Sequence, residues 1–91
     1  MKLNKIETSM RIIAKRSWNK HVHGLPTQWV NVTPNEQEVF FEDGSWGRYY
    51  LTSNLLGEPT IEEEINGEVV SGLYLLNWFG LPTSWEKLGI K

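Results

Sequence analysis

A six-residue phrase occurs twice in this chain, and it constrains the fold more than any other feature. Residues 24–29 read GLPTQW and residues 80–85 read GLPTSW. Glycine readily adopts the left-handed conformation that ends a helix, and proline prevents the helix from continuing. Threonine can then cap a helix that comes next. The phrase therefore predicts that one helix ends before Gly24 and another before Gly80.

The segments that precede both copies have helical features. Between residues 5 and 21, apolar side chains recur at helical spacing, namely Ile6, Met10, Ile13 and Ala14, which predicts an amphipathic helix. Residues 73–79 are strongly apolar and are predicted as a second helix. Thr83 and Glu86 have the spacing of a capping box, so we expect a last helical turn to Leu88.

The middle of the chain has the features of strands. Side chains in residues 28–33 alternate in the pattern of a short strand. Residues 39–42 and 45–51 flank Asp43-Gly44, a dipeptide suited to a two-residue hairpin turn. In that register Phe41 lies opposite Trp46, and Val39 lies opposite Arg48.

Residues 60–71 are compatible with two structures. The spacing of Thr60 and Glu63 favours a short helix that ends near Gly67. Asn66-Gly67 is equally a hairpin turn between two strands. We favour the helix, because three consecutive glutamates are poor strand formers.

These elements predict an α+β fold in a single domain, residues 1–91. It consists of an N-terminal amphipathic helix, a small antiparallel sheet over about 28–51 with a hairpin at Asp43-Gly44, and a helical C-terminal part. The chain has no cysteine and is 40% hydrophobic, which suits a compact domain in a reducing compartment. No apolar run is long enough for a membrane span, and no secretory signal is evident, so we expect a cytoplasmic protein.

Charge is distributed unevenly along the chain. Residues 1–23 carry six basic side chains and one acidic one, whereas residues 24–91 carry three basic and ten acidic ones. A basic helix of this kind can lie along phosphates. The candidate nucleic-acid-binding residues are Lys5, Arg11, Lys15, Arg16 and Lys20.

The aromatic hairpin is the more suggestive surface. Adjacent strand residues point to opposite faces, so both faces of this hairpin carry aromatic side chains. Either helices cover both faces, or one is exposed and receives a partner's side chains. The candidate protein-binding residues are Phe41, Trp46, Arg48 and Tyr50. Of the five tryptophans, Trp29 and Trp85 are expected to be interior anchors because they hold equivalent places after the repeated phrase.

No catalytic set is evident. His21 and His23 are two ligands at most, and two ligands do not hold a metal. Glu62, Glu63 and Glu64 point in different directions, whereas acid–base catalysis needs two carboxylates placed across a substrate. Ser45 lacks the spacing of a nucleophile elbow. A helix-turn-helix drawn through residues 61–79 would lack basic side chains on its second helix. We therefore expect no enzymatic activity, metal or cofactor.

The sequence predicts a non-catalytic protein-binding module, monomeric or self-associating. A small regulator or inhibitor of a larger complex, of the kind that phages and other mobile genetic elements encode, fits this composition. The alternative is a nucleic-acid-binding protein that uses the basic helix together with the aromatic hairpin face.

Overall fold

An antiparallel sheet of six strands forms the body of the molecule in the computed structural model, which describes residues 5–16, 19–33, 35–70 and 74–89. The strands are β1 (Pro26–Thr33), β2 (Glu36–Phe41), β3 (Trp46–Ser53), β4 (Pro59–Ile65), β5 (Glu68–Val69) and β6 (Tyr74–Leu75). The first four pair in chain order, and both β5 and β6 pair with β4. The helices are α1 (Lys5–Arg16), α2 (Asn19–His23), a 3-10 helix (Leu76–Phe79) and α3 (Trp85–Leu88).

Helix α1 contributes its apolar stripe to the core. Ile6, Met10, Ile13 and Ala14 are all buried, as their spacing predicts. The predicted helix also includes residues 17 and 18, which lie outside the described part of the chain. The stripe belongs to one cluster with the buried side chains of the sheet, among them Val39, Phe41, Tyr49 and Ile61.

Strand alternation gives the sheet a buried inner face and an exposed outer face. On β2, Gln37, Val39 and Phe41 are buried, while the residues between them are at least partly exposed. Gly47 on β3 makes room for this packing, because a Cβ there would lie 2.6 Å from Cε2 of Phe41. The inner face therefore carries the core, and the outer face is the one that the sheet presents to solvent.

The predicted helical C-terminal part is wrong, and with it the α+β assignment. Residues 60–65 belong to β4, and Asn66-Gly67 forms the hairpin turn to β5, with positive φ at both residues. Residues 61–70 and 74–79 likewise do not form the helix-turn-helix that the lack of basic side chains argues against. Ile61 and Ile65 are buried in the core, and this pairing and burial outweigh the low strand propensity of the glutamates. The molecule is mostly antiparallel sheet with short helices.

Residues 74–79 also differ from the predicted helix. They form β6 and a single 3-10 turn, and residues 71–73 lie outside the described part of the chain. Tyr74 pairs with Ile61 of β4, so the apolar run is used as a short strand before the chain turns. The final turn, α3, does run to Leu88 as predicted, although its cap is Ser84 rather than Thr83.

The β2–β3 hairpin is confirmed, but its predicted register is wrong by one residue. Phe40 pairs with Trp46, and Val39 pairs with Gly47. The loop is longer than two residues, with hydrogen bonds from Phe41 N to Ser45 O and from Gly44 N to Phe41 O. Gly44 has φ of 86° and completes the loop as a bulge. Because side chains alternate along a strand, a shift of one residue in the pairing places Phe41 and Trp46 on opposite faces of the sheet.

The repeated phrase comes after helical segments at both places, as predicted. Gly24 follows α2, and Gly80 ends the 3-10 helix in the left-handed conformation. At the second copy, Gly80 N bonds to Asn77 O and Leu81 N bonds to Leu76 O, the pattern of a Schellman motif. The next element differs between the copies, because the first opens β1 and the second leads to α3. Thr27 therefore caps no helix; its hydroxyl donates to the carbonyl of Phe40.

Among the described residues, no helix has the length and apolar character that crossing a membrane requires.

Candidate interaction surface

The one-residue difference in register divides the predicted protein-binding residues between the two faces of the sheet. Phe41 is 2% exposed and belongs to the core, so it is not available to a partner. Trp46, Arg48 and Tyr50 alternate along β3 and are all partly exposed. Phe40, which pairs with Trp46, takes the place of Phe41 beside them and is 40% exposed.

We define the outer sheet face by eight side chains of β2, β3 and β4. They are Glu36, Glu38, Phe40, Trp46, Arg48, Tyr50, Glu62 and Glu64. The strand register places them side by side, since Glu36 pairs with Tyr50 and Arg48 lies between Glu38 and Glu64. This face thus carries four carboxylates and three aromatic rings, with one guanidinium among them.

Arg48 ties the three strands of this face together. Its guanidinium bonds to Glu36 of β2 at 2.9 Å and to Glu64 of β4 at 3.1 Å. The carbon at the centre of the same group lies 4.2 Å from the ring centroid of Tyr50. The hydrogen bond to Glu36 raises the pKa of Arg48, and the charges of Glu36 and Glu64 act in the same direction. Arg48 is therefore held as a fixed cation in a carboxylate frame.

Tyr50 is held in the same way. Its hydroxyl donates to Oε1 of Glu62 at 2.7 Å. Burial raises the pKa of Tyr50, and its hydrogen bonds to glutamates raise it further, so the hydroxyl stays protonated and acts as a donor. Together with Arg48, this bond restricts the rotamers of the central part of the outer sheet face.

Among the described side chains, the predicted nucleic-acid-binding residues lie in two different environments. Lys5, Lys15 and Arg16 are exposed on α1. Arg11 is directed toward the body of the protein, where its Nε donates to Gln37 at 3.2 Å and its guanidinium lies 4.5 Å from the ring centroid of Trp29. The side chain of Lys20 lies outside the described part of the structure. The environment of Arg11 is therefore structural and does not suit phosphate binding.

Serine, histidine and aspartate come together at the β2–β3 loop without the geometry of a catalytic triad. Asp43 Oδ2 lies 2.6 Å from Nδ1 of His23, and Ser45 Oγ lies 2.9 Å from the same nitrogen. A triad needs the two ring nitrogens of histidine to serve different partners. Here one nitrogen serves both, so the contact fastens α2 to the hairpin. Among the described residues, no three potential ligands cluster to hold a metal ion.

The three consecutive glutamates separate because β4 is a strand and not a helical turn. Glu62 and Glu64 belong to the outer sheet face, whereas Glu63 is completely buried. Its carboxylate accepts hydrogen bonds from Tyr49 at 2.7 Å and from Tyr74 at 3.0 Å. Two of the three glutamates therefore lie on the outer sheet face, and the third accepts two hydrogen bonds in the core.

Three exposed apolar side chains are not predicted by the sequence patterns. Leu55 and Leu56 project from the β3–β4 loop, and Trp78 is 64% exposed on the 3-10 helix. A sequence feature that could have predicted the exposure of the leucines is the x-x-Gly pattern between two strands. The β2–β3 and β3–β4 loops share this pattern. Of the predicted anchors, Trp29 packs against the core and Trp85 donates its Nε1 hydrogen to the carbonyl of Gly57.

The chain matches no protein-family model, no curated protein and no solved structure.

Proposed function

We propose that this protein is a non-catalytic binding module whose outer sheet face docks on a basic surface of another protein. The observation that carries the proposal is the combination of aromatic rings that are at least partly exposed with carboxylates that Arg48 fixes in place. Phe40, Trp46 and Tyr50 supply the apolar contact, and Arg48 holds Glu36 and Glu64.

Aromatic side chains on a rigid sheet suit protein recognition for an energetic reason. Tryptophan and tyrosine dominate binding hot spots because they bury a large area with few rotatable bonds. The bonds from Arg48 to two strands and from Tyr50 to Glu62 already restrict the neighbouring side chains. Less conformational entropy is then lost when a partner binds.

The charge of the face indicates the chemistry of the partner. Glu36, Glu38, Glu62 and Glu64 outnumber the single cation Arg48. Complementary charge speeds encounter and fixes orientation, so lysine- and arginine-rich surfaces are favoured. Such a surface is often the site at which a protein binds phosphates. Covering it would let a small domain regulate or inhibit a larger complex.

Nucleic-acid binding is the second candidate because Lys5, Lys15 and Arg16 are exposed on α1. Lys5 and Arg16 also lie beside Trp78 in one surface cavity. The aromatic hairpin, however, lies among carboxylates, which repel phosphates. This candidate therefore depends on α1 alone.

The test is capture of partners by the tagged protein from its host, with nuclease added to the lysate. We expect the captured protein to be retained after nuclease treatment and to present a basic surface. Trp46→Ala should weaken binding by about 2 kcal/mol or more, roughly 30-fold in Kd. Val22→Ala is the control, because it removes an exposed apolar side chain of α2, outside the outer sheet face.

Two results would contradict the proposal. One is equal binding by wild type and Trp46→Ala in a purified pair. The other is loss of capture on nuclease treatment, with loss also in the Lys15→Glu, Arg16→Glu double variant. That second pattern, with a steep dependence on salt, is expected from nucleic-acid binding by α1.

A further inference from the structure

Two adjacent leucines are exposed at the tip of the β3–β4 hairpin. Leu55 is 106% exposed and Leu56 is 84% exposed, the two highest values among the exposed large apolar side chains of the described residues. Turn positions usually carry polar residues, and the β2–β3 loop, which has the same hydrogen-bond pattern, has Glu42 and Asp43 there. We call Leu55 and Leu56 the leucine knob.

The leucine knob is held on a fixed loop. Oδ1 of Asn54 accepts hydrogen bonds from the backbone of Leu56 and of Glu58, both at 2.9 Å. Gly57 N donates to Asn54 O at 3.0 Å, and Trp85 Nε1 donates to Gly57 O at 3.0 Å. These bonds define the backbone of the loop, which holds both leucines at the surface.

A groove of matching chemistry lies elsewhere on the same chain. It has a volume of about 290 Å³ and lies between α1 and the 3-10 helix, lined by Ile12, Ile13, Arg16, Tyr74, Trp78 and Phe79. We call it the α1 groove.

We propose that the leucine knob of one copy inserts into the α1 groove of a second copy. Opposite charges on the two surfaces support a second copy as the occupant. Glu58 is exposed on the loop that carries the leucine knob, whereas Arg16 lines the α1 groove and Lys5 lines the adjoining cavity. The high exposure of both leucines shows that they do not fill the groove of their own chain. Two different surfaces meet in this contact, so it is heterologous and builds chains or rings.

This proposal is independent of the proposed function, because neither surface includes the outer sheet face. Self-association through the leucine knob leaves that face free on every copy. An assembly would then present several outer sheet faces to a partner and gain avidity. The contact is small, so we expect reversible association that depends on protein concentration.

The first experiment measures mass against concentration by analytical ultracentrifugation, from about 10 µM to about 1 mM. We expect the average mass of wild type to rise with concentration. Leu55→Asp combined with Leu56→Asp should lower the association constant at least about tenfold, as should Trp78→Asp. Val22→Asp is the matched control, since it places the same charge on a 55% exposed side chain outside the α1 groove and should associate like wild type.

Mixing the two defective variants gives the sharper test. The Leu55→Asp, Leu56→Asp variant keeps an intact groove, and Trp78→Asp keeps an intact knob. Alone, each should associate at least about tenfold more weakly than wild type, whereas the mixture should associate as strongly as wild type and stop at a heterodimer. Wild type that stays monomeric throughout would overturn the proposal, as would defective variants that fail to complement each other. Circular dichroism of each variant confirms that its fold is retained.

Discussion

Tyr49 and Tyr50 are adjacent residues whose hydroxyl groups meet glutamates on opposite faces of the sheet. Tyr49 is completely buried and donates to the buried Glu63, whereas Tyr50 donates to Glu62 on the outer sheet face. Burial raises the pKa of Tyr49, with the charge and hydrogen bond of Glu63 adding to it, so this hydroxyl also remains a donor. A tyrosine hydroxyl bonded to a glutamate therefore stabilises the core on the inner face, and on the outer sheet face it fixes the position of a side chain.

Removing the two hydroxyls should have unequal effects on stability. Tyr49→Phe takes a donor from a buried carboxylate and should lower the free energy of unfolding by about 1.5–3 kcal/mol. Tyr50→Phe, at a partly exposed site, is the matched control and should change it by about 0.5 kcal/mol or less. Urea denaturation of both variants measures this. Equal losses of unfolding free energy in the two variants would show that the buried hydrogen bond stabilises the protein no more than the partly exposed one.

At the scale of elements, the loop between β2 and β3 fastens α2 to the sheet. His23, the last residue of α2, bonds to Asp43 in the loop, and Ser45 N donates to Oδ1 of Asp43 at 2.8 Å. The hydrogen bond from His23 is the largest cause that lowers the pKa of Asp43, from 3.8 to about 2, and the bonds from Ser45 add to it. The ionised carboxylate of Asp43 thus connects the end of α2 to the β2–β3 loop.

This linkage predicts a specific dependence of stability on pH. Because the pKa of Asp43 is lower in the folded state, its stabilising contribution is present above about pH 4 and is lost as the pH falls toward 2. The difference in unfolding free energy between wild type and Asp43→Asn should shrink between about pH 5 and pH 2. Urea denaturation at several pH values measures it.

His23→Ala supplies the control for that series. Without the imidazole, the pKa of Asp43 should move back toward 3.8, which carboxyl NMR titration detects. A pKa that stays near 2 in His23→Ala would show that the loop alone lowers it.

On the scale of the whole molecule, α1 covers the inner face of the sheet and leaves the outer face to solvent. The core needs both layers, since Met10 and Ile13 of α1 belong to the same cluster as Phe41 and Tyr49 of the sheet. A sheet with one apolar face is not stable until that face is covered. We therefore predict that helix and sheet unfold together, as the single domain expected from the sequence.

Loss of the α1 contact should destabilise the whole domain. Met10→Ala creates a cavity at a completely buried position and should cost about 2–5 kcal/mol, whereas Lys15→Ala, on the exposed side of α1, should stay within about 0.5 kcal/mol. Tryptophan fluorescence and far-UV circular dichroism should report one coincident transition. Separate transitions would show that α1 is an independent unit.

Local signals in the sequence are sufficient for several elements. The spacing of Ile6, Met10, Ile13 and Ala14 predicts the apolar stripe of α1, and the repeated phrase predicts the ends of helical segments before residues 24 and 80. Such features depend on residues within one or two turns, so a short stretch of chain contains the information. The existence of the β2–β3 hairpin is predictable for the same reason.

The face of the sheet on which each strand side chain lies depends on contacts between distant parts of the chain. Asp43-Gly44 is compatible with a two-residue loop or a longer one, and the choice determines whether Phe41 shares a face with Trp46. The observed register buries Phe41 and Tyr49 under α1 and leaves Arg48 partly in solvent; sharing that buried face would have cost the desolvation of its charge. Likewise, residues 60–65 became a strand because distant residues pair with them and cover Ile61. The candidate surface therefore came from contacts across the fold, which no local pattern specifies.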